Sequence, residues 1–338
     1  MKSLKILGKN SIRTDEVDVP EPKSGEVLLH MLYGGICGSD LHYYFNGANG
    51  EYVVREPLTP GHEMSGTVES DPSGKFAKGT PVTVAPATYG PEEPDIKDRR
   101  HLWAGGTYLG SASTMPHTQG GMSEYLLVKD FMVRPLPDGL DIEVAALAEP
   151  LSVGLHAINI AGGVEGKKVL VSGSGPIGLL CAAACVAKRA KSVTATDVLD
   201  GPLSRAKAVG VDETINISQA AIPESSYDVV FECSGVPAAS SAALAAVRKA
   251  GTVVQVGMLP NEPKPINLAP FLSKEVTYLG CFRFNDEIDE AVKLLASDDR
   301  FESVITHVIP ADDAVHAFEV AKNSAESGKV LISLWIDE

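Results

Sequence analysis

An apolar strand, a tight run of glycines and an Ala-rich helix follow one another without a break in KKVLVSGSGPIGLLCAAACVAKRAKSVTATD, residues 167–197. Few chain segments limit the choice of fold as strongly. In G-x-G-x-x-G, Gly173 permits the tight turn, Gly175 lets backbone approach a pyrophosphate, and Gly178 lets helix pack on strand. Pro176 and Ile177 then open the helix, whose N-terminal N–H groups and partial positive charge favour phosphate. A second apolar run ends at Asp197, 19 residues beyond Gly178. A carboxylate there accepts hydrogen bonds from ribose hydroxyls and repels a 2′-phosphate, so the expected cofactor is NAD rather than NADP.

Downstream, DVVFECSG, ASSAALAAVRKAG, TVVQVGM and EVTYLGCFRF alternate strand and helix patterns, the helix being expected to close at Gly251. This predicts a doubly wound parallel sheet. With 338 residues the chain has room for a second domain. Its first 30 residues read instead as short apolar runs alternating with turn signals, and HEMSGTVES and GTPVTVAP as further strands. The formal charge of −15 argues against nucleic acid or an anionic membrane as partner, and no apolar run approaches a membrane span. Five cysteines, sparse and odd in number, argue against a disulfide scaffold and point to a reducing cytoplasm. Two of them, Cys181 and Cys185, are spaced for packing on one helix face.

Cys37 ends the strand-like GEVLLHMLYGGICGSD, where Gly34, Gly35 and Gly38 are expected to let the backbone bend. His62 and Glu63 follow the rigid Pro60-Gly61 turn of PLTPGHEMSGTV. A thiolate, an imidazole and one or two carboxylates suit zinc, and a site with few protein ligands keeps a position open for water or substrate. Neighbours on a strand point to opposite faces, so His62 and Glu63 share one metal only if the turn breaks the pleat; otherwise Glu63 supports a ligand from behind. Just past Cys37, Ser39 and His42 offer a hydroxyl and an imidazole for passing a proton to solvent.

GGICGSDLHYY, PGHEMSGTV and KGTPVTV, in that order, resemble the zinc-dependent medium-chain dehydrogenases, polyol branch, and the likeness runs the full length. It implies an α/β protein: a GroES-like, mostly β catalytic domain over residues 1–147, a Rossmann domain over 148–282, and a segment 283–338 returning to complete the first. It implies one catalytic zinc on Cys37 and His62, with Glu63 or Glu149 as a further ligand. Tyr43, Glu149, Arg283 and Phe284 would meet substrate, and Val256, Gly257, Met258 and Cys281 would border the nicotinamide. The implied reaction is oxidation of a secondary alcohol on a sugar acid, L-idonate to 5-ketogluconate, ahead of sorbitol or xylitol, in a homodimer or homotetramer. A zinc-free quinone reductase-like enzyme and a non-enzymatic dinucleotide sensor are disfavoured by Cys37, His62 and the relay pair. The chain departs from the family in two places. No cysteine lies between Cys37 and Cys181, so no four-thiolate structural zinc is expected, and residues 86–106 form a loop instead. Pro202 stands where an adenosine-binding Arg is usual, leaving Arg205 as a substitute.

Overall fold

A computed structural model describes residues 1–336. Six strands form one fully parallel sheet, in the order Glu213–Asn216, Ser192–Asp197, Lys168–Ser172, Tyr227–Glu232, Val247–Gln255 and Thr277–Gly280. From the central strand Lys168–Ser172 the chain first builds outward on one side, then crosses to the other. That reversal leaves a crevice at the carboxyl ends of the strands, where such sheets bind ligands. Helix Pro176–Ala187 covers the sheet with Leu179, Leu180, Cys181 and Cys185, all fully buried.

A second sheet has a different origin. Its order is Ile305–Pro310, Lys329–Ser333, Glu26–Gly35, Glu63–Ser70, Pro81–Val84 and Val133–Pro135, with Tyr125–Lys129 also paired to Glu26–Gly35. All pairings are antiparallel except that between the two C-terminal strands. Its core gathers Leu29, Met31, Met64, Met122, Phe318 and Ile332. Among the described residues no helix is long and apolar enough to cross a membrane.

The structure differs from the sequence reading in three local respects. The chain rejoins the second sheet, that of the N-terminal residues, at Ile305 and not at residue 283. Helix Ile288–Ser297 turns its apolar stripe of Ile288, Ala291, Val292 and Leu295 into the core shared with helices Ala148–Ile160 and Pro176–Ala187. Helix Pro237–Ala246 ends before Gly251, which lies inside strand Val247–Gln255; a Cβ at Gly251 would stand 3.0 Å from the Asp228 carbonyl oxygen. Gly35 lies within strand Glu26–Gly35 and gives space rather than a bend: a Cβ there would fall 2.1 Å from Oε2 of Glu63.

Candidate active site

Cys37 caps helix Gly38–Asn46, whose N-terminal dipole complements negative charge. His62 sits in the turn just before strand Glu63–Ser70, so the pleat is broken between His62 and Glu63. Ligand atoms of Cys37, His62 and Glu63 all lie within 4.8 Å of one another. Nδ1 of His62 is buried with no hydrogen-bond partner among the described residues, an expensive state for a ring nitrogen. Burial opposes charge on His62, yet the Cys37 thiolate and the carboxylates of Glu149 and Asp40 push its pKa up to about 10. The pocket therefore carries a strong negative potential. This donor set and that potential fit a zinc ion.

Two buried groups that sequence reasoning missed hold the cluster in shape. Asp40 is fully buried; its Oδ2 accepts the Cys37 N–H at 3.0 Å and its Oδ1 the Gly61 N–H at 3.2 Å. One carboxylate thus ties together the two turns that carry Cys37 and His62. Burial pushes its pKa up, partly offset by His62. Lys329 Nζ donates to both oxygens of Glu63, at 2.7 and 2.6 Å, and to the Ile36 carbonyl at 3.1 Å. Burial opposes the lysine's charge, but Glu63 and Cys37 hold its pKa above the usual value. The Glu63 carboxylate is therefore already paired. Asp40 had a legible signal, capping-box spacing from Cys37. Lys329 had none, since it lies 266 residues from Glu63.

Glu149 enters from the first turn of helix Ala148–Ile160 and is buried beside His62. Burial raises its pKa, against the pull of His62. Its Oε1 accepts a hydrogen bond from the Tyr108 hydroxyl. Burial, then the Glu149 charge, raises the Tyr108 pKa well above that of a free phenol, so the hydroxyl keeps its proton and donates. Tyr108 also meets the edge of His62, with ring centroids 5.4 Å apart, and carries the Arg283 guanidinium over its face at 3.9 Å. It lies in a loop without periodicity, where no sequence signal marks it.

These groups line a cleft of about 1150 Å³. Ser39 is on its wall; His42 is exposed and outside the lining, with Nδ1 3.1 Å from Oδ1 of Asn49, which does line it. Among the described residues no hydrogen bond joins Ser39 to His42. Tyr43 borders the cleft but is 2% exposed, and its hydroxyl accepts the Ala112 N–H at 3.1 Å, so it is more wall than free contact. Arg283 has a left-handed backbone, φ 53°, and no carboxylate partner among the described residues: Asp286 pairs with Arg100, and Glu287 with His156. Phe284 is 5% exposed and belongs to the core around helix Pro176–Ala187, yet it still lines the cleft beside Arg283; the exposed aromatic against the guanidinium is Phe282.

Ile177, Val256, Gly257, Met258 and Cys281 line the same cleft from the parallel sheet. A Cβ on Gly257 would stand 2.2 Å from the Gly235 nitrogen, which fixes that turn as glycine. Burial, helped by Cys233 and Glu287, pushes the Cys281 thiol up to about 12, so it is no nucleophile. Gly173 has φ 92°, and Gly175 caps helix Pro176–Ala187. Asp197 ends its strand beside this loop: Oδ2 accepts from Ser174 N–H at 2.9 Å, Oδ1 from Val198 N–H at 2.8 Å. Arg205, the substitute that the sequence offers for the missing adenosine contact, donates through its two terminal nitrogens to the carbonyls of Ser324, Ala325 and Glu326.

Two family models match the chain: a zinc-binding dehydrogenase over residues 176–297 and an alcohol dehydrogenase GroES-like domain over 23–138. The chain belongs to the zinc-dependent medium-chain dehydrogenases. It is 36% identical to sorbitol dehydrogenase of Bos taurus over 335 residues, covering 95% of this chain and 92% of that one. It is 33% identical to L-idonate 5-dehydrogenase (NAD(P)(+)) of Escherichia coli K12 over 302 residues, 88% of each. The crystal structure of an Escherichia coli L-idonate 5-dehydrogenase superposes with a TM-score of 0.93 at 31% identity, covering 98% of this chain and 97% of that one. Within the family this dehydrogenase therefore groups with enzymes of polyols and sugar acids, and its two domains are the GroES-like and Rossmann-like domains of that family.

Proposed function

We propose that this dehydrogenase oxidises L-idonate at C5 to 5-ketogluconate with NAD as acceptor. The observation that carries the reading is Arg283. Its guanidinium faces the cleft, is held on an aromatic face and has no carboxylate partner among the described residues. A planar guanidinium in that state is suited to bidentate pairing with a substrate carboxylate. The resemblance to an L-idonate 5-dehydrogenase supports the same class.

Cys37 and His62 would hold the zinc, with Glu63 or Glu149 as the further ligand. When bound, zinc supplies Lewis acidity that lowers the pKa of an alcohol oxygen, and NAD supplies the hydride acceptor. The rest is the work of the protein's own side chains. Arg283 would bind the carboxylate end and so set which hydroxyl lies beside Cys37 and His62. Glu149 accepts from the hydroxyl chain. Ser39, in the first turn of its helix, takes the alcohol proton in the cleft, and His42 returns it to solvent. The walls of the cleft exclude water from hydride transfer. Asp197 favours NAD over NADP by its charge. The five unpaired cysteines fit a reducing cytoplasm, and the family resemblance a homodimer or homotetramer.

The test is NADH formation by the zinc-loaded enzyme with L-idonate and with sorbitol, compared as kcat/KM. Preference for L-idonate is expected. Arg283→Gln should lower it by about 10- to 100-fold, the worth of a charge-assisted hydrogen bond, while sorbitol turnover changes far less. Sorbitol favoured by the wild type would place the enzyme among the neutral polyol dehydrogenases, the second reading that sequence likeness favours.

A further inference from the structure

Tyr108 touches three functional groups that arrive from three distant parts of the chain. Its hydroxyl donates to Glu149, its ring face carries Arg283, and its ring edge meets His62. The side chain is 6% exposed. Its backbone is fixed on both sides: Tyr108 forms a β-bridge with Ala87, Leu109 N–H donates to the Pro86 carbonyl at 3.0 Å, and Gly110 packs so closely on Gly61 that a Cβ would lie 2.8 Å from the Gly61 nitrogen. The ring is thus referenced to the same Pro60-Gly61 turn that positions His62. Arg283, by contrast, is held by no salt bridge among the described residues and has a left-handed backbone, φ 53°, that L-residues rarely adopt. What fixes its guanidinium is stacking between Phe282, at 4.8 Å, and Tyr108, at 3.9 Å.

We propose that Tyr108 is the positioning residue that sets substrate class in this enzyme. Its ring holds the Arg283 guanidinium as a planar receptor for the carboxylate of a sugar acid, and its hydroxyl independently aims Glu149 at the hydroxyl chain. The inference rests on the sugar-acid reading above and adds to it the element that makes Arg283 selective. A cation over an aromatic face is attracted by the ring whether or not the ring bears a hydroxyl. The two roles are therefore separable by substitution.

Tyr108→Phe keeps the ring and removes the hydroxyl. It should lower kcat for L-idonate and for sorbitol together, about tenfold, and leave the ratio of their kcat/KM values within about twofold of wild type. Tyr108→Leu removes the ring. It should raise KM for L-idonate and reduce that ratio by at least about tenfold, the worth of a desolvated cation–π contact and the alignment it gives. Zinc content and the far-ultraviolet dichroism of each variant report whether the fold survives. Should Tyr108→Leu fail to fold, Arg283→Lys in the wild-type background replaces it: the charge stays, the planar stack is lost, and the ratio should fall as for Tyr108→Leu. Equal effects of Phe and Leu on the ratio, or no effect of either, would overturn the proposal, as would an unchanged ratio in Arg283→Lys. If the wild type prefers sorbitol, the sugar-acid reading fails, and with it the receptor role of the ring. The hydroxyl role is then decided on sorbitol alone: a lowered kcat in Tyr108→Phe with KM held supports it, and an unchanged kcat overturns it.

Discussion

Lys329 and Glu63 are 2% and 0% exposed at their side chains, and each is the other's main compensation for leaving water. Removing one partner of such a pair strands the other. Lys329→Met should therefore cost about 3–5 kcal/mol in urea unfolding of the metal-free protein, whereas Lys329→Met combined with Glu63→Gln should recover much of it. A single substitution costing under about 1 kcal/mol would mean that water reaches Glu63 in solution. Cys37→Ala should separately abolish stoichiometric zinc and turnover, and retention of both would remove the metal assignment. The residues that sequence could name here were those with chemistry of their own: Cys37, His62, Glu63. The residues it could not name, Lys329 and Tyr108, derive their role from partners brought close only by the fold.

At the scale of elements, the glycine loop makes two opposite demands. A Cβ on Gly178 would lie 1.9 Å from the Gly173 carbonyl oxygen, a backbone atom that has no freedom to yield. Gly178→Ala should destabilise the fold by about 1–3 kcal/mol or more, since overpacking here must move helix from strand. Around Gly175 nothing lies within 4 Å of such a Cβ. Gly175→Ala should hold stability within about 1 kcal/mol yet weaken NADH binding, measured by fluorescence titration, because the added methyl stands where backbone meets the pyrophosphate. Equal losses of stability in both would contradict this division. The loop was readable in advance because strand, turn and helix each leave a local pattern over one short stretch. The strand Ile305–Pro310 was not: ITHVIP is a short apolar run between helices Ile288–Ser297 and Ala314–Lys322, with no turn pattern of its own to mark it. Its pairing with Lys329–Ser333 is non-local information.

Over the whole molecule, Glu287 ties the wall of the cleft together. Oε1 accepts from His156 Nδ1 at 2.9 Å and Asn159 Nδ2 at 3.2 Å, on helix Ala148–Ile160; Oε2 accepts the N–H groups of Asn285 and Asp286 at 2.8 and 3.0 Å. Those two residues in turn clasp the loop that stands in place of a cysteine lobe: Asp286 pairs with Arg100, and Asn285 Nδ2 donates to the Asp98 carbonyl at 3.0 Å. Burial alone would raise the Glu287 pKa, but the His156 bond and charge, with the Asn285 N–H, bring it down to about 2. The folded value lies below the ordinary carboxylate value of 4.5, so the folded state binds this proton less readily than the unfolded chain. The stabilisation is then complete above about pH 4.5 and is lost as pH falls toward 2. Glu287→Gln keeps the shape, removes the charge and should be less stable at pH 7. The difference from wild type, read as urea midpoints at pH 7, 5, 4 and 3, should narrow below pH 4.5 as Glu287 takes up its proton in the unfolded chain and stays ionised in the folded one. A difference that stays constant down to pH 3 would mean that Glu287 holds the wall by shape alone, and that its charge adds nothing to the joint between loop, helix and sheet.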